Sequence, residues 1–391
     1  MNSYGKAIDL LKRASSENGF YASIQNTGNY QRVWSRDGVI CGLAALASED
    51  EELINTFKKT LETLAKYQHS IGTIPSNVLI TKSLTDVSYG GLAGRVDAVT
   101  WFVIGVCEYA FHRNDTAFFK KYKSTIEKCF HLLTAWEFNN KHLVYTPLSG
   151  NWADEYITDG YVLYDQLLRI WALKAYNYFQ NSSVIASKIK AIEEQIEANF
   201  CPNSRKQKFH DKAYLRLENK DYLPCSFSPS GYKTSFDAFG NSLALLLNIG
   251  DETFQSRLIN YMSALQEETK LGLMPAFWPP IFEGEEHWDL LKDNCKYEFR
   301  NYPYEFHNGG SWPMVNGFYA LALIKHGQKE KASNMLDVIN KANAKEDYSF
   351  FENFNTKTGA PNGVPYCAWS AAAAILVSKA LTNNFKISPL C

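Results

Sequence analysis

The chain has 391 residues, of which 46% are hydrophobic and 21% charged, with 40 Lys and Arg set against 41 Asp and Glu. Such a balance excludes a fibre, a membrane-embedded protein and a disordered tail. A formal net charge of -1 supplies no field to gather phosphate backbones or anionic lipid, so neither nucleic acid nor membrane is expected as a partner.

Apolar residues recur at helical spacing in segments at about 4–15, 36–48, 51–70, 96–113, 115–138, 161–178, 182–199, 236–249, 252–267, 310–326, 328–343 and 365–382, and strand alternation is almost absent. The connections alternate in length. Short gaps such as 48–50, 112–115 and 249–251 separate the members of a pair, whereas long gaps at 16–35, 71–95, 139–160, 200–235, 268–309 and 344–364 separate one pair from the next. Short connections make antiparallel helical hairpins. Five hairpins therefore follow one another and the last helix is left to pair with the first, which predicts an all-α fold, a single (α/α)6 barrel over residues 1–391. Every long loop then opens on one face, where binding residues concentrate. No linker or composition shift offers a second domain a place to begin.

The eight cysteines, Cys41, Cys107, Cys129, Cys201, Cys225, Cys295, Cys367 and Cys391, show no paired metal-ligand spacing, and the N-terminal stretch has no apolar targeting core. Free thiols in a cytoplasmic protein without metal or cofactor are the expectation. Nucleotide, zincin and hydrolase-elbow motifs are absent as well.

The long loops run into their following helices as NYQRVWSRDG (29–38), GGLAGRVDAVTW (90–101), SGNWADEYITDGY (149–161), GYKTSFDAFGN (231–241), YEFHNGGSWP (304–313) and FFENFNTKTGAPNG (350–363), each with an acid, a ring or both. An acid near a helix start is explained by capping when taken singly. Six in register, interleaved with Trp and Gly, describe a carbohydrate site instead, since pyranose C–H faces stack on rings while Asp, Glu, Arg and His satisfy hydroxyls. Cleaving a glycosidic bond there needs two carboxyl groups, one protonated and one ionised. Asp37 beside Arg36, and Asp97 near Arg95, suit ionised hydrogen-bond acceptors. Asp154, among Trp152 and Tyr156, suits a carboxyl desolvated by rings, and Glu352 lies among rings in FFENFN.

The stretch His307-Asn308-Gly309-Gly310-Ser311-Trp312-Pro313 resembles the HNGGSWP signature of the neutral and alkaline invertases, which are inverting (α/α)6 hydrolases. Trp152-Ala153-Asp154 is similar to that family's acid-bearing segment, and Glu352-Asn353-Phe354-Asn355 with Thr358-Gly359 to its base-bearing segment. The resemblance implies Asp154 as acid and Glu352 as base. Trp34-Ser35-Arg36-Asp37 resembles a segment shared with amylo-α-1,6-glucosidases and related debranching hydrolases, in which the Asp holds substrate hydroxyls. Departures fall at Ala153, at Glu155 where the invertases carry Arg, and in the loop 268–309. Glu155 is thus the rival for the acid.

The expected substrate contacts are Trp34, Arg36, Asp37, Asp97, Trp101, Trp152, Tyr156, Asp237, His307, Asn308 and Trp312, with Trp101 and Trp312 alternatively read as core. Trp152→Ala is expected to reduce catalysis with little loss of stability. The partner implied is a small carbohydrate with an α-glucosyl unit, sucrose being the first to assay. Other readings are a sugar epimerase or isomerase on the same toroid, which would want two pocket histidines, and a non-catalytic sugar-binding protein. His287 is a poor second to His307.

Overall fold

The computed structural model describes residues 2–217, 219–382, 385 and 386, so Cys391 lies outside the described residues. Among these, the helices of nine residues or more are α1 (Ser3–Arg13), α2 (Ser35–Ser48), α3 (Glu51–Lys66), α4 (Val96–His112), α5 (Thr116–Ala135), α6 (Leu163–Gln180), α7 (Ser183–Phe200), α8 (Ala238–Leu246), α9 (Glu252–Glu267), α10 (Pro313–Lys325), α11 (Lys329–Asn343) and α12 (Ala368–Leu381).

Burial sorts them into two rings. The even-numbered helices are apolar around most of their circumference; α2, for example, buries every residue from Ser35 to Ala47. They pack in the order α2, α4, α6, α8, α10, α12, and α12 returns to α2, so the inner ring closes. The odd-numbered helices lie outside, each against its hairpin partner, and α1 packs on α12. Their sequences show why they remain outside. In α3 the residues Leu53, Phe57, Leu61 and Leu64 make one buried stripe, and the rest of the helix carries Glu and Lys. The hairpin turns end in ordinary caps: Asp50 accepts from Glu52 N and Leu53 N at 3.1 and 3.2 Å, and also pairs with Lys12 at 2.8 Å. Asp50→Ala should therefore lower unfolding free energy by about 1 kcal/mol, read by urea denaturation.

The (α/α)6 architecture is as expected, but the purely all-α description needs correction. Four small antiparallel sheets lie in the long loops. One joins Val33–Trp34, Asn77–Ile80 and Thr85–Ser88; the largest joins Tyr161–Val162, Pro224–Ser228, Gly231–Asp237 and Phe277–Trp278. The physical reason is hydrogen-bond accounting. Long loops folded over a face bury backbone groups, and short ladders satisfy them. These strands fix where three of the inner helices begin, because Trp34, Val162 and Asp237 end a strand and stand at the N-cap of α2, α6 and α8.

Candidate active site

Because every long loop precedes an inner helix, all six inner N-termini converge on one face, and a cavity of about 650 Å³ opens there. That volume suits a small ligand. Of the predicted residues, Trp34, Arg36, Asp37, Trp152, Asp154, His307, Trp312 and Glu352 line it, as does Glu155.

Glu352 is 4% exposed and stands just before a two-residue strand, Asn353–Phe354. Its Oε1 accepts from the Tyr30 hydroxyl at 2.8 Å and its Oε2 from the Val364 amide at 3.3 Å. Burial pushes its carboxyl up to about 7, against the opposing pull of the Arg300 guanidinium. Gly363 makes this seat: with φ of +73°, it brings the backbone so close that a Cβ would stand 2.5 Å from Glu352 Oε2.

Asp154 is held differently. Rings were expected to enclose it, but its carboxylate meets Arg95 Nη2 at 2.6 Å and its side chain is 30% exposed. Arg95 is itself anchored by Nη1 on the carbonyls of Ala93 and Ser149. The neighbouring Glu155 accepts from Arg300 Nη2 at 3.1 Å and Nε at 3.3 Å, and burial raises its carboxyl.

Arg36 donates from Nη1 to Asp97 at 2.7 Å, while its Nε is 3.9 Å from Asp37. The ion pairs thus cross between loops: Arg36 with Asp97, and Arg95 with Asp154. Burial outweighs Arg36 at Asp37 and lifts the carboxyl to about 6, which still leaves it mostly ionised at neutral pH.

His307 is 1% exposed, stacked on Trp312 (5.0 Å, 6°) and perpendicular to Trp152 (5.2 Å, 88°). Neither of its ring nitrogens meets a protein hydrogen-bond partner among the described residues. Burial first, then Arg300 and Arg36, holds its pKa well below the usual imidazole value, so the ring is neutral.

Five predicted contacts lie elsewhere. Asp97, 1% exposed, serves Arg36 and the Tyr164 hydroxyl. Trp101 is core, edge-on to Trp171 and Phe318 and donating to Tyr164. Tyr156 is buried face to face with Phe277 at 4.2 Å. Asp237 caps α8, accepting from Phe239 N and Gly240 N at 3.0 Å each. Asn308 ties down the 268–309 loop, bonding Ile281 N, Ile281 O and Asn301 O.

Residues that sequence reasoning missed include Tyr30, Arg95, Trp369 and, from the 268–309 loop, Lys296, Tyr297, Glu298 and Arg300. Tyr30 stands in the quoted NYQRVWSRDG run, and Trp369 opens α12 within an alanine-rich stretch that reads as plain core. Among the described residues no helix is long and apolar enough to cross a membrane.

Residues 193–385 match the family of alkaline and neutral invertases, a stretch that holds HNGGSWP and Glu352 but not Asp154. Neutral/alkaline invertase 1, mitochondrial, of Oryza sativa subsp. japonica is 27% identical over 142 residues, 36% of this chain and 22% of that one. Alkaline/neutral invertase C, mitochondrial, of Arabidopsis thaliana is 24% identical over 172 residues, 43% of this chain and 25% of that one. The aligned stretches thus span about a quarter of those plant proteins. Among solved structures, the mannosylglycerate hydrolase of Thermus thermophilus superposes with a TM-score of 0.69 at 14% identity, covering 96% of this chain and 99% of that one. A bacterial glucoamylase complexed with acarbose gives 0.65 at 15% identity, with 98% and 56% covered. The chain thus has the (α/α)6 glycosidase fold over nearly all its length and is similar in sequence, over its C-terminal half, to the alkaline and neutral invertases.

Proposed function

We propose that this chain is an inverting glycoside hydrolase that removes a terminal α-glucosyl unit from a small saccharide or glucoside, with Asp154 as general acid and Glu352 as general base. The observation that carries the reading is the pairing of these two carboxyl groups, from the 139–160 and 344–364 loops, in one cavity walled by Trp34, Trp152, Trp312 and Trp369. Asp154 would protonate the leaving oxygen; Glu352 would take a proton from the attacking water. Arg36, Asp37 and His307 would hold glycone hydroxyls. His307 suits that task, because the neutral ring offers one donor and one acceptor nitrogen, neither of which meets a protein partner among the described residues. An isomerase would want a second pocket histidine, and His287 lies outside the cavity lining.

We read the six hairpins as one catalytic domain. The buried, unpaired thiols Cys41, Cys107, Cys129, Cys201, Cys225 and Cys367 fit a reducing, cytoplasmic compartment.

The test is a panel of sucrose, isomaltose, trehalose, glucosylglycerate and mannosylglycerate, with the fresh product followed by NMR. Monosaccharide of inverted configuration is expected; a product with the starting anomer, or interconversion of a free sugar, would remove the mechanism. The base must be ionised to work, and Glu352 titrates near 7. kcat/KM should therefore fall about tenfold per pH unit below that value, and an acid limb near pH 4.5 would contradict the role given to Glu352.

A further inference from the structure

The 268–309 loop and its continuation to Ser311 are tied to both of the segments that carry the carboxyl pair. On the acid side, Asn294 accepts from Ser149 Oγ at 2.8 Å and donates to the Tyr156 carbonyl at 3.0 Å, and Asn301 donates to the Glu155 carbonyl at 2.6 Å. On the base side, Ser311 and Phe354 exchange backbone hydrogen bonds of 2.9 Å, the Thr356 amide donates to the Tyr304 carbonyl at 3.1 Å, and Asn355 donates to the Glu305 carboxylate at 3.0 Å. Arg300 stands between the two sets of ties and lines the cavity.

Arg300 is held from two directions. Glu155 Oε2 accepts from its Nη2 at 3.1 Å and its Nε at 3.3 Å, and its Cζ lies 4.0 Å from the centroid of the Phe306 ring. An edge on a carboxylate and a face on an aromatic ring leave a guanidinium little freedom. Its Nη1 meets no protein hydrogen-bond partner among the described residues. Three further arginines line the cavity, and each has its own carboxylate: Arg32 on Asp86 at 2.8 Å, Arg36 on Asp97 at 2.7 Å and Arg95 on Asp154 at 2.6 Å. Glu352 forms no ion pair among the described residues, and its hydrogen bonds come from Tyr30 and Val364. The titratable groups facing it are Tyr30, Asp37, Cys367 and Arg300, of which Arg300 is the cation. Burial and Asp37 both work against an ionised Glu352, and a fixed positive charge is what offsets them.

We propose that Arg300 is the positioning residue of the base: clamped by Glu155 and Phe306, its guanidinium is the fixed cation that keeps Glu352 a carboxylate and in place, and Glu155 acts by holding Arg300, not by delivering a proton. The inference rests on the hydrolase reading and adds a part to its machinery. Asp154 gives its proton to the glycosidic oxygen as the C1–O bond breaks, and water adds to C1 and loses a proton to Glu352. Glu352 is then neutral, and Arg300 remains compensated because Glu155 still pairs with it, so the cation is never left without an anion. Proton exchange with solvent resets both carboxyl groups.

The experiment measures kcat and KM against pH for the parent, Arg300→Met, Arg300→Lys and Glu155→Gln, on the member of the panel that the parent cleaves fastest, with far-UV circular dichroism as the check on folding. Arg300→Met leaves burial unopposed at Glu352, so the acid limb of kcat/KM should move up from about 7 by about one pH unit or more, with kcat changing more than KM. Arg300→Lys keeps the charge but loses the forked grip on Glu155. Its acid limb should stay near 7 while kcat falls by about 10- to 100-fold. Glu155→Gln should lower kcat/KM in the parent and do little more in the Arg300→Met background, because both changes undo one clamp. An unmoved acid limb in Arg300→Met, or a Glu155→Gln loss that is equally large in both backgrounds, overturns the inference and leaves the hydrolase reading intact. Should Arg300→Met fail to fold, Arg300→Lys decides, and parental kcat in that variant overturns the inference. Cleavage of no member of the panel by the parent removes the hydrolase reading, and the inference with it.

Discussion

Glu352→Gln and Asp154→Asn should each lower kcat by a factor of about 10² to 10⁴ while far-UV circular dichroism stays that of the parent. Their effects on stability should have opposite signs. Glu352 is fully desolvated, and its carboxyl titrates at about 7 in the folded chain against 4.5 in its ordinary setting. The folded state therefore binds the proton more tightly than the unfolded chain between those values. Stability is unaffected below pH 4.5 and declines as pH rises through 7, by at most about 3 kcal/mol. Gln cannot ionise, so Glu352→Gln should be more stable than the parent at pH 8 and nearly equal at pH 4.5. Asp154→Asn instead strips Arg95 of its anion and should destabilise the protein by about 1.5 to 3 kcal/mol at pH 7. Denaturant unfolding at the two pH values, beside single-substrate kinetics, measures all of this. Normal turnover in Asp154→Asn with an inactive Glu155→Gln would move the acid by one residue.

The barrel was legible because its signal is long-range and redundant. Helical periodicity repeats through the chain, and the alternation of short and long gaps survives an error of several residues at any one boundary. Strands of two residues, such as Val33–Trp34 and Asn353–Phe354, hold a single alternation and have no pattern to detect. At the site, an acid beside a ring in a long loop found Asp37, Asp154 and Glu352. It failed at Asp97 and Asp237, where the same local pattern serves a cross-loop ion pair with Arg36 and a helix cap. Nothing within a few residues of Asp97 reveals that its partner lies 61 positions earlier. Arg300 was hidden for a related reason. It stands in a loop that matches no pattern, and its importance arises only when folding sets it beside Glu155 and close to Glu352.

Trp152→Ala should lower both activity and stability, the latter by about 3 to 5 kcal/mol. The sequence suggested a pocket residue that could be removed at little structural loss, but Trp152 is only 2% exposed. One face of its indole stacks near Phe277 at 5.8 Å and 16°, and its edges meet Phe239, His307 and Trp312 at 5.2 to 5.6 Å. A truncated side chain would leave a void bordered by four rings, Phe277 and His307 from the 268–309 loop, Trp312 at the start of α10 and Phe239 of α8, and such a site cannot collapse without moving the cavity wall. His307 would lose its perpendicular neighbour, so the orientation of the imidazole should relax together with the fold. Trp152→Phe separates the two contributions, since it keeps a ring in the stack while narrowing the surface offered to a sugar. It should recover more than half of the lost stability and less of the lost kcat/KM. If Trp152→Ala melted within a degree of the parent, this residue would be a free-standing platform, and the packing account of the cavity wall would be wrong.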